Sequence, residues 1–174
     1  MMDRQLSRSM ASAEADNAMA LRSNGVDCVF LSCFDHNALF LASMLGQGGI
    51  RLHRAHTLEM ADFLLLATRG TVLVLDTTFL DGSWEDALAL TAQMHPLLTT
   101  LICADLVDHR FIASARERGA FDVLWRPMEL DRLRTSIRTA HEVTVERRLW
   151  LAEREHKSRS NQHSVSGFHM ETVK

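Results

Sequence analysis

The chain has 174 residues, of which 47% are hydrophobic and 24% charged, enough for the core of one domain but few for two. A net charge of −3 excludes a strong overall attraction to nucleic acid or to an anionic membrane. The three cysteines are too few for a disulfide framework and lack the paired spacing of a zinc site. Because the apolar runs are also too short to span a membrane, we expect a cytoplasmic protein that is not membrane-bound.

Five apolar segments typical of strands alternate with five segments of helical periodicity. Glycine and proline separate them, as at Gly46, Pro96 and Gly119. The strands are predicted at residues 26–33, 50–55, 71–76, 97–103 and 121–125. The helices are predicted at residues 35–45, 57–69, 84–94 and 107–118 and from residue 128 onward.

This alternation requires a parallel sheet that is covered on both faces by right-handed crossovers. We therefore predict an α/β fold, a flavodoxin-like doubly wound five-stranded parallel sheet of order 2-1-3-4-5 with an extended C-terminal helix. Residues 26–141 would form this domain. We expect residues 1–25 to be a flexible arm, 142–157 a helical extension of the last helix, and 158–174 a disordered tail.

The third strand is apolar throughout and ends in Asp76, which predicts a central strand that delivers one carboxylate to the carboxyl edge of the sheet. Taken alone, such an aspartate more often caps the following turn, so the neighbouring strand ends decide its role. The predicted order brings together Cys33, Phe34 and Asp35 after the first strand, Asp76 after the third, Cys103 and Ala104 after the fourth, and Arg126 and Pro127 after the fifth.

Three stretches of the chain resemble the receiver domain of bacterial two-component response regulators. They are Leu-Val-Leu-Asp at residues 73–76, Asp81-Gly82, and Gly-Ala-Phe-Asp-Val-Leu-Trp-Arg-Pro at residues 119–127. The family typically has Gly-Ala-x-Asp-Tyr-Leu-x-Lys-Pro at the last of these. The order and spacing of the three stretches, which fall within residues 26–141, make the resemblance specific.

The resemblance assigns roles to individual residues. It implies that Asp76 is the phosphoacceptor and that Arg126 stands in place of the family's lysine. Pro127 corresponds to the family's proline, which is commonly cis. Val123 occupies the position of the switch aromatic. The resemblance also implies a signalling protein and not an enzyme, with a histidine kinase or another signalling protein as its partner.

The chain departs from the family where the family has an acidic pair that holds Mg²⁺ with the phosphoacceptor. Helix phasing puts Cys33 and Phe34 in those places, which leaves Asp35 and Asp76 as the remaining metal candidates. The family's phosphoryl-binding hydroxyl falls on Cys103 or Ala104, and neither has one. We therefore expect no metal or other cofactor, and an atypical receiver with impaired Mg²⁺-dependent phosphorylation.

The alternative is a conventional single-domain receiver that binds Mg²⁺ and is phosphorylated on Asp76 by a histidine kinase. Arg126 offers a further hypothesis, because the rigid guanidinium of arginine binds carboxylates better than the mobile ammonium of lysine. An ion pair between Arg126 and Asp76 would hold the site in one state without phosphate. The opposing possibility is that Arg126 points into solvent.

Other functions have weaker support in the sequence. A redox protein or an enzyme would use Cys33, Cys103 and His36. Because the first and fourth strands flank the third, their Cα atoms should lie roughly 9 to 10 Å apart, which is too far for a direct disulfide. A nucleic-acid adaptor is not expected, because the tail interleaves acidic with basic residues. A homodimer could form through the fourth helix, fifth strand and fifth helix or through the C-terminal helix. We expect no DNA-binding output domain in the residues that follow 141.

Overall fold

The computed structural model describes residues 25–46, 48–105 and 108–166; for residues 35–37, 40 and 159–166 it describes the backbone alone. The main strands are β1 (Val26–Leu31), β2 (Ile50–Ala55), β3 (Val72–Asp76), β4 (Thr99–Ala104) and β5 (Asp122–Trp125). The helices are α1 (Asp35–Gly46), α2 (Leu58–Ala67), α3 (Trp84–Met94), α4 (His109–Glu117) and α5 (Leu130–Ser166). A short antiparallel ribbon, Thr78–Phe79 paired with Gly82–Ser83, follows β3 and was not predicted.

The five main strands form one parallel sheet of order β2-β1-β3-β4-β5. This confirms the predicted fold class and strand order. The central strand β3 is buried at each of its residues, as expected for a strand with neighbours on both sides and helices on both faces. Its last residue, Asp76, therefore lies in the middle of the carboxyl edge of the sheet.

The pleat of the sheet divides the core into two halves. Leu73 and Leu75 of β3 pack with buried residues of α2, α3 and α4 on one face. Val72 and Val74 pack with buried residues of α1 and α5 on the other face. Each half is closed by helices, so the sheet is doubly wound.

Helix α5 is anchored at the amino edge of the sheet by a buried threonine, Thr144, which is 0% exposed. Its hydroxyl accepts from the backbone N–H of Thr99 at 3.1 Å and donates to the carbonyl oxygen of Thr71 at 2.7 Å. Leu133 and Ile137, one helical turn apart, are buried against the sheet. These contacts fix where α5 leaves the domain.

Beyond the sheet, the helical prediction ended too early, because α5 continues past residue 157 to Ser166. The predicted flexible arm lies outside the described residues apart from Gly25, and so does the part of the predicted tail after Ser166. Within the described ranges, no helix is long and apolar enough to cross a membrane.

Candidate functional site

Asp76 is a buried carboxylate at the end of β3, and the residue is 3% exposed. The strand register places it beside Cys103 of β4. On the other side, Leu31 of β1 pairs with Leu75, so the next residue, Ser32, lies beside Asp76. The backbone therefore presents Asp76 between a serine and a cysteine.

Both carboxylate oxygens of Asp76 accept a hydrogen bond. The hydroxyl of Ser32 donates to Oδ2 at 2.5 Å. Nη2 of Arg126 donates to Oδ1 and forms an ion pair with it. The ion pair that was hypothesised between Arg126 and Asp76 is thus present, and Arg126 does not point freely into solvent.

Ser32 is held in position by its own backbone and side-chain contacts. Its N–H donates to the carbonyl oxygen of Ala55 at 3.0 Å, and its carbonyl oxygen accepts from Nδ1 of His56 at 2.9 Å. The N–H of Phe34 donates to the Ser32 hydroxyl oxygen at 3.0 Å, which leaves the hydroxyl proton for Asp76. Sequence reasoning missed Ser32, although its place directly after an apolar strand was the available signal.

The strand register places Ser32, and neither Cys33 nor Phe34, directly beside Asp76. Because β1 ends at Leu31, the residue beside Asp76 is Ser32, one position before the predicted pair. The Cys33 thiol instead contacts the carbonyl oxygen of Thr78 at 3.7 Å, and Phe34 is 50% exposed. Asp35 begins α1, and its side chain lies outside the described part of the structure.

Arg126 connects the fifth strand to the site. Its N–H donates to the carbonyl oxygen of Ala104 at 2.9 Å, and its peptide bond to Pro127 is cis. Nη1 donates to Oδ1 of Asp105 at 3.0 Å, so the guanidinium bridges a buried and an exposed carboxylate. Burial alone would lower the pKa of Arg126, but Asp105 and Asp76 outweigh it and raise this pKa above its usual value. Asp105 is a second residue that sequence reasoning missed.

The end of β4 is apolar, since Cys103 and Ala104 are both buried. Neither provides the hydroxyl that the family has after its fourth strand. Burial, with the nearby charge of Asp76 adding to it, raises the pKa of the Cys103 thiol to about 12. Burial also raises the pKa of Cys28. Both thiols are protonated at neutral pH, which gives the redox hypothesis no reactive thiolate at these two positions.

Val123 lies within the core on the α2–α4 face and is 3% exposed. Two residues further along β5, Trp125 is 46% exposed and lies under the guanidinium of Arg132, which is 4.0 Å from the ring centroid. The aromatic side chain of β5 is therefore on the surface, and Val123, to which the resemblance gives the position of the switch aromatic, is a buried aliphatic residue.

Asp81 and Gly82 have a structural role at the same edge. Both oxygens of Asp81 accept from the N–H of Leu58 at 2.9 Å, so this carboxylate caps the first turn of α2. A Cβ atom on Gly82 would lie 3.0 Å from the ring of Phe79 and 3.1 Å from Asp86. A larger residue at this position would make these side chains shift by a few tenths of an ångström.

The described residues do not fit the Mg²⁺ site that the resemblance implies. No group of three His, Cys, Asp or Glu side chains among them is arranged to hold a metal ion. Beside Asp76 lie the hydroxyl of Ser32 and the guanidinium of Arg126, where Mg²⁺ would need further oxygen ligands and no competing cation. A metal ion at Oδ1 would have to displace Arg126.

The five parallel strands in the order β2-β1-β3-β4-β5, with helices on both faces, form a flavodoxin-like fold that places Asp76 at the carboxyl edge and the cis Arg126–Pro127 bond after the fifth strand. Several of the solved structures that resemble it are receiver domains. A signal receiver domain from Vibrio parahaemolyticus has a TM-score of 0.66 and 18% identity, covering 72% of this chain and 96% of that one. The receiver domain of a Francisella response regulator has a TM-score of 0.64 and 18% identity, covering 69% of this chain and 99% of that one.

A response-regulator receiver domain from Clostridium thermocellum is similar with a TM-score of 0.62 and 16% identity, covering 72% of this chain and 98% of that one. No protein-family model matches the chain. No curated protein matches it either. At these identities the likeness shows the fold, and this chain has the fold of a receiver domain.

Proposed function

We propose that this protein is an atypical receiver module of two-component signalling that acts through protein-protein contacts and is a poor substrate for Mg²⁺-dependent phosphorylation. One observation carries the proposal. The carboxylate of Asp76 is buried, and both of its oxygens are already engaged, one by the Ser32 hydroxyl and one by the Arg126 guanidinium.

This arrangement opposes phosphoryl transfer in two ways. A carboxylate oxygen must be free to attack phosphorus, and a cation must offset the charge that the incoming phosphoryl group brings. Here the attacking oxygen would first have to leave Arg126 or Ser32. If breaking the Asp76–Arg126 pair adds about 3 kcal/mol to the barrier, transfer slows more than a hundredfold.

The same contacts support a function that does not depend on phosphate. Arg126 joins β3, β4 and β5 through Asp76 and Asp105, so it holds the strand ends in one arrangement. Next to it, Trp125 of β5 and Arg132 of α5 form an exposed stacked pair. Stacked aromatic and arginine side chains are typical of contact surfaces. We propose that a histidine kinase, another cytoplasmic signalling protein or a second copy of the chain binds there, without enzymatic activity or a cofactor.

The test is phosphorylation by acetyl phosphate with Mg²⁺, measured by intact-protein mass spectrometry, with Asp76→Asn as the negative control. We expect little or no phosphorylated wild-type protein. The double variant Ser32→Asp with Arg126→Lys restores an acid beside Asp76 and a mobile cation, and should be phosphorylated at least tenfold more. Arg110→Lys makes the same basic exchange at an exposed position of α4 and should leave the yield unchanged.

Stoichiometric, Asp76-dependent phosphorylation of the wild-type protein would contradict the proposal. It would favour the conventional receiver instead, in which Mg²⁺ displaces Arg126 when phosphate binds.

A further inference from the structure

A cavity of about 530 Å³ lies between α1 and α5, next to the cis Arg126–Pro127 bond. Its described lining residues are Leu41, Met44, Arg126, Pro127, Met128, Leu130 and Leu133. The volume is within the range of about 300 to 1,000 Å³ that small-molecule sites occupy. The cavity can therefore hold a compact organic molecule.

The chemistry of the lining is uneven. Six of the seven described lining residues are apolar, and the seventh is Arg126. Sites for small molecules commonly combine an apolar wall with a few polar groups that orient the ligand. An apolar body with a negatively charged group is complementary to this lining, because Arg126 is the charged residue among these seven.

Arg126 retains capacity for another anion. A guanidinium has five N–H donors. Arg126 gives one bond from Nη2 to Asp76 and one from Nη1 to Asp105. Arg126 lines the cavity, and its side chain is 25% exposed, so it is not fully enclosed by its two carboxylate partners.

We propose that this cavity binds a small soluble molecule with an apolar body and one anionic group, a carboxylate or a sulfonate, which pairs with Arg126. Such a ligand shares its cation with Asp76, so occupancy of the cavity weakens the Asp76–Arg126 ion pair. By reciprocity, removing the charge of Asp76 strengthens ligand binding. The inference goes beyond the proposed function, because it rests on the cavity and on Arg126 and holds whether or not Asp76 accepts a phosphoryl group.

The experiment compares two fluorescent probes on the full chain, anilinonaphthalene sulfonate and the same molecule without its sulfonate. We expect the sulfonate to bind wild-type protein at least tenfold more tightly than the uncharged probe. Arg126→Gln should remove this preference. Asp76→Asn should increase the affinity for the sulfonate at least fivefold and leave the affinity for the uncharged probe unchanged. Equal binding of the two probes, or no effect of either variant, would overturn the proposal.

Variants that fill the cavity test its location. Met44→Trp and Leu130→Trp place a larger side chain on opposite walls of the cavity. Each should weaken the binding of both probes at least tenfold, and circular dichroism should show that both variants are folded. The control is Phe63→Glu, which disrupts an apolar surface on α2, where Phe63 is 66% exposed. Loss of binding in Phe63→Glu but not in the tryptophan variants would assign the probes to α2 and reject the cavity.

Sedimentation with phosphatidylglycerol vesicles separates a soluble ligand from a membrane lipid. We expect wild-type protein to remain in the supernatant. Arg126-dependent binding to the vesicles would contradict a small soluble ligand.

Discussion

Replacing Arg126 by glutamine isolates the energetic role of the ion pair. The side chain of Asp76 is 5% exposed, so Arg126→Gln leaves a buried carboxylate with the Ser32 hydroxyl and no cation. Removing one partner of a buried ion pair lowers the free energy of unfolding by about 3 to 5 kcal/mol. We expect about 3 kcal/mol, because the Ser32 bond remains and the side chain of Arg126 is 25% exposed.

Asp76→Asn removes the other partner of the ion pair and should be less destabilising than Arg126→Gln. It removes the buried charge itself and leaves Arg126 paired with Asp105, whose side chain is 74% exposed and well solvated. We therefore expect a loss of only about 1 kcal/mol. The double variant should cost little more than Asp76→Asn alone, so the coupling energy between the two positions is roughly 2 to 3 kcal/mol.

Equilibrium unfolding in urea at pH 7 measures these differences. With an m value of about 2 kcal/mol/M, the midpoint should fall by roughly 1.5 M for Arg126→Gln and by roughly 0.5 M for Asp76→Asn. Arg110→Gln, at an exposed position, should stay within about 0.5 kcal/mol of wild type. If Arg126→Gln costs less than 1 kcal/mol, or if the two substitutions are additive, the guanidinium does not neutralise a buried carboxylate and the reasoning fails.

Three further predictions concern the scaffold. In thermal or urea unfolding, Thr144→Val should cost about 2 kcal/mol, because the buried Thr99 N–H loses the hydroxyl that accepts from it and the Thr71 carbonyl oxygen keeps only the longer bond from the Thr99 hydroxyl. Thr139→Val on the exposed side of α5 should change little. Asp81→Ala should cost about 1 kcal/mol in the same assay, because it removes the cap from Leu58. Burial lowers the pKa of His141, so the stability from its neutral form is present above about pH 6.5 and is lost as the pH falls below that value. His141→Gln should reduce the acid-side fall in unfolding free energy, and an unchanged pH profile would contradict this assignment.

The fold could be predicted because its signals are local and repeated. An apolar run that ends in Asp76 predicted a central strand, and β3 is buried throughout. Alternating apolar and basic residues, as in Ile50–Ala55, are typical of a strand near solvent, and β2 lies at the edge. Ser83 and Asp86 have the three-residue spacing of a capping box, and the Asp86 carboxylate accepts from the Ser83 N–H at 2.9 Å. Each of these patterns depends on neighbours in the chain and little on distant contacts.

The site was harder to predict because it depends on register. Helix phasing was the basis for putting Cys33 and Phe34 in the metal-binding places, whereas β1 ends at Leu31 and the strand register puts Ser32 beside Asp76. A shift of one residue changes the face of the sheet that a side chain occupies. Asp105 follows β4 in an exposed position that no periodicity marks, and its role appears only when Arg126 is placed. The end of α5 was misjudged from its polar composition, although no glycine or proline interrupts residues 130–166 and Gly167 follows directly.

The two departures at the site compensate each other electrostatically. In the family pattern, an acidic pair and the phosphoacceptor place several carboxylates together, and a divalent cation offsets their charge. With Ser32 in this position, the described core of the site has one buried carboxylate, and a single guanidinium balances it. Ser32→Asp would therefore add a second buried negative charge that Arg126 cannot also neutralise. The loss of unfolding free energy in this variant should be larger without Mg²⁺ than with it. Ser32 and Arg126 are therefore matched electrostatically, because a neutral hydroxyl and one guanidinium together suit a single buried carboxylate.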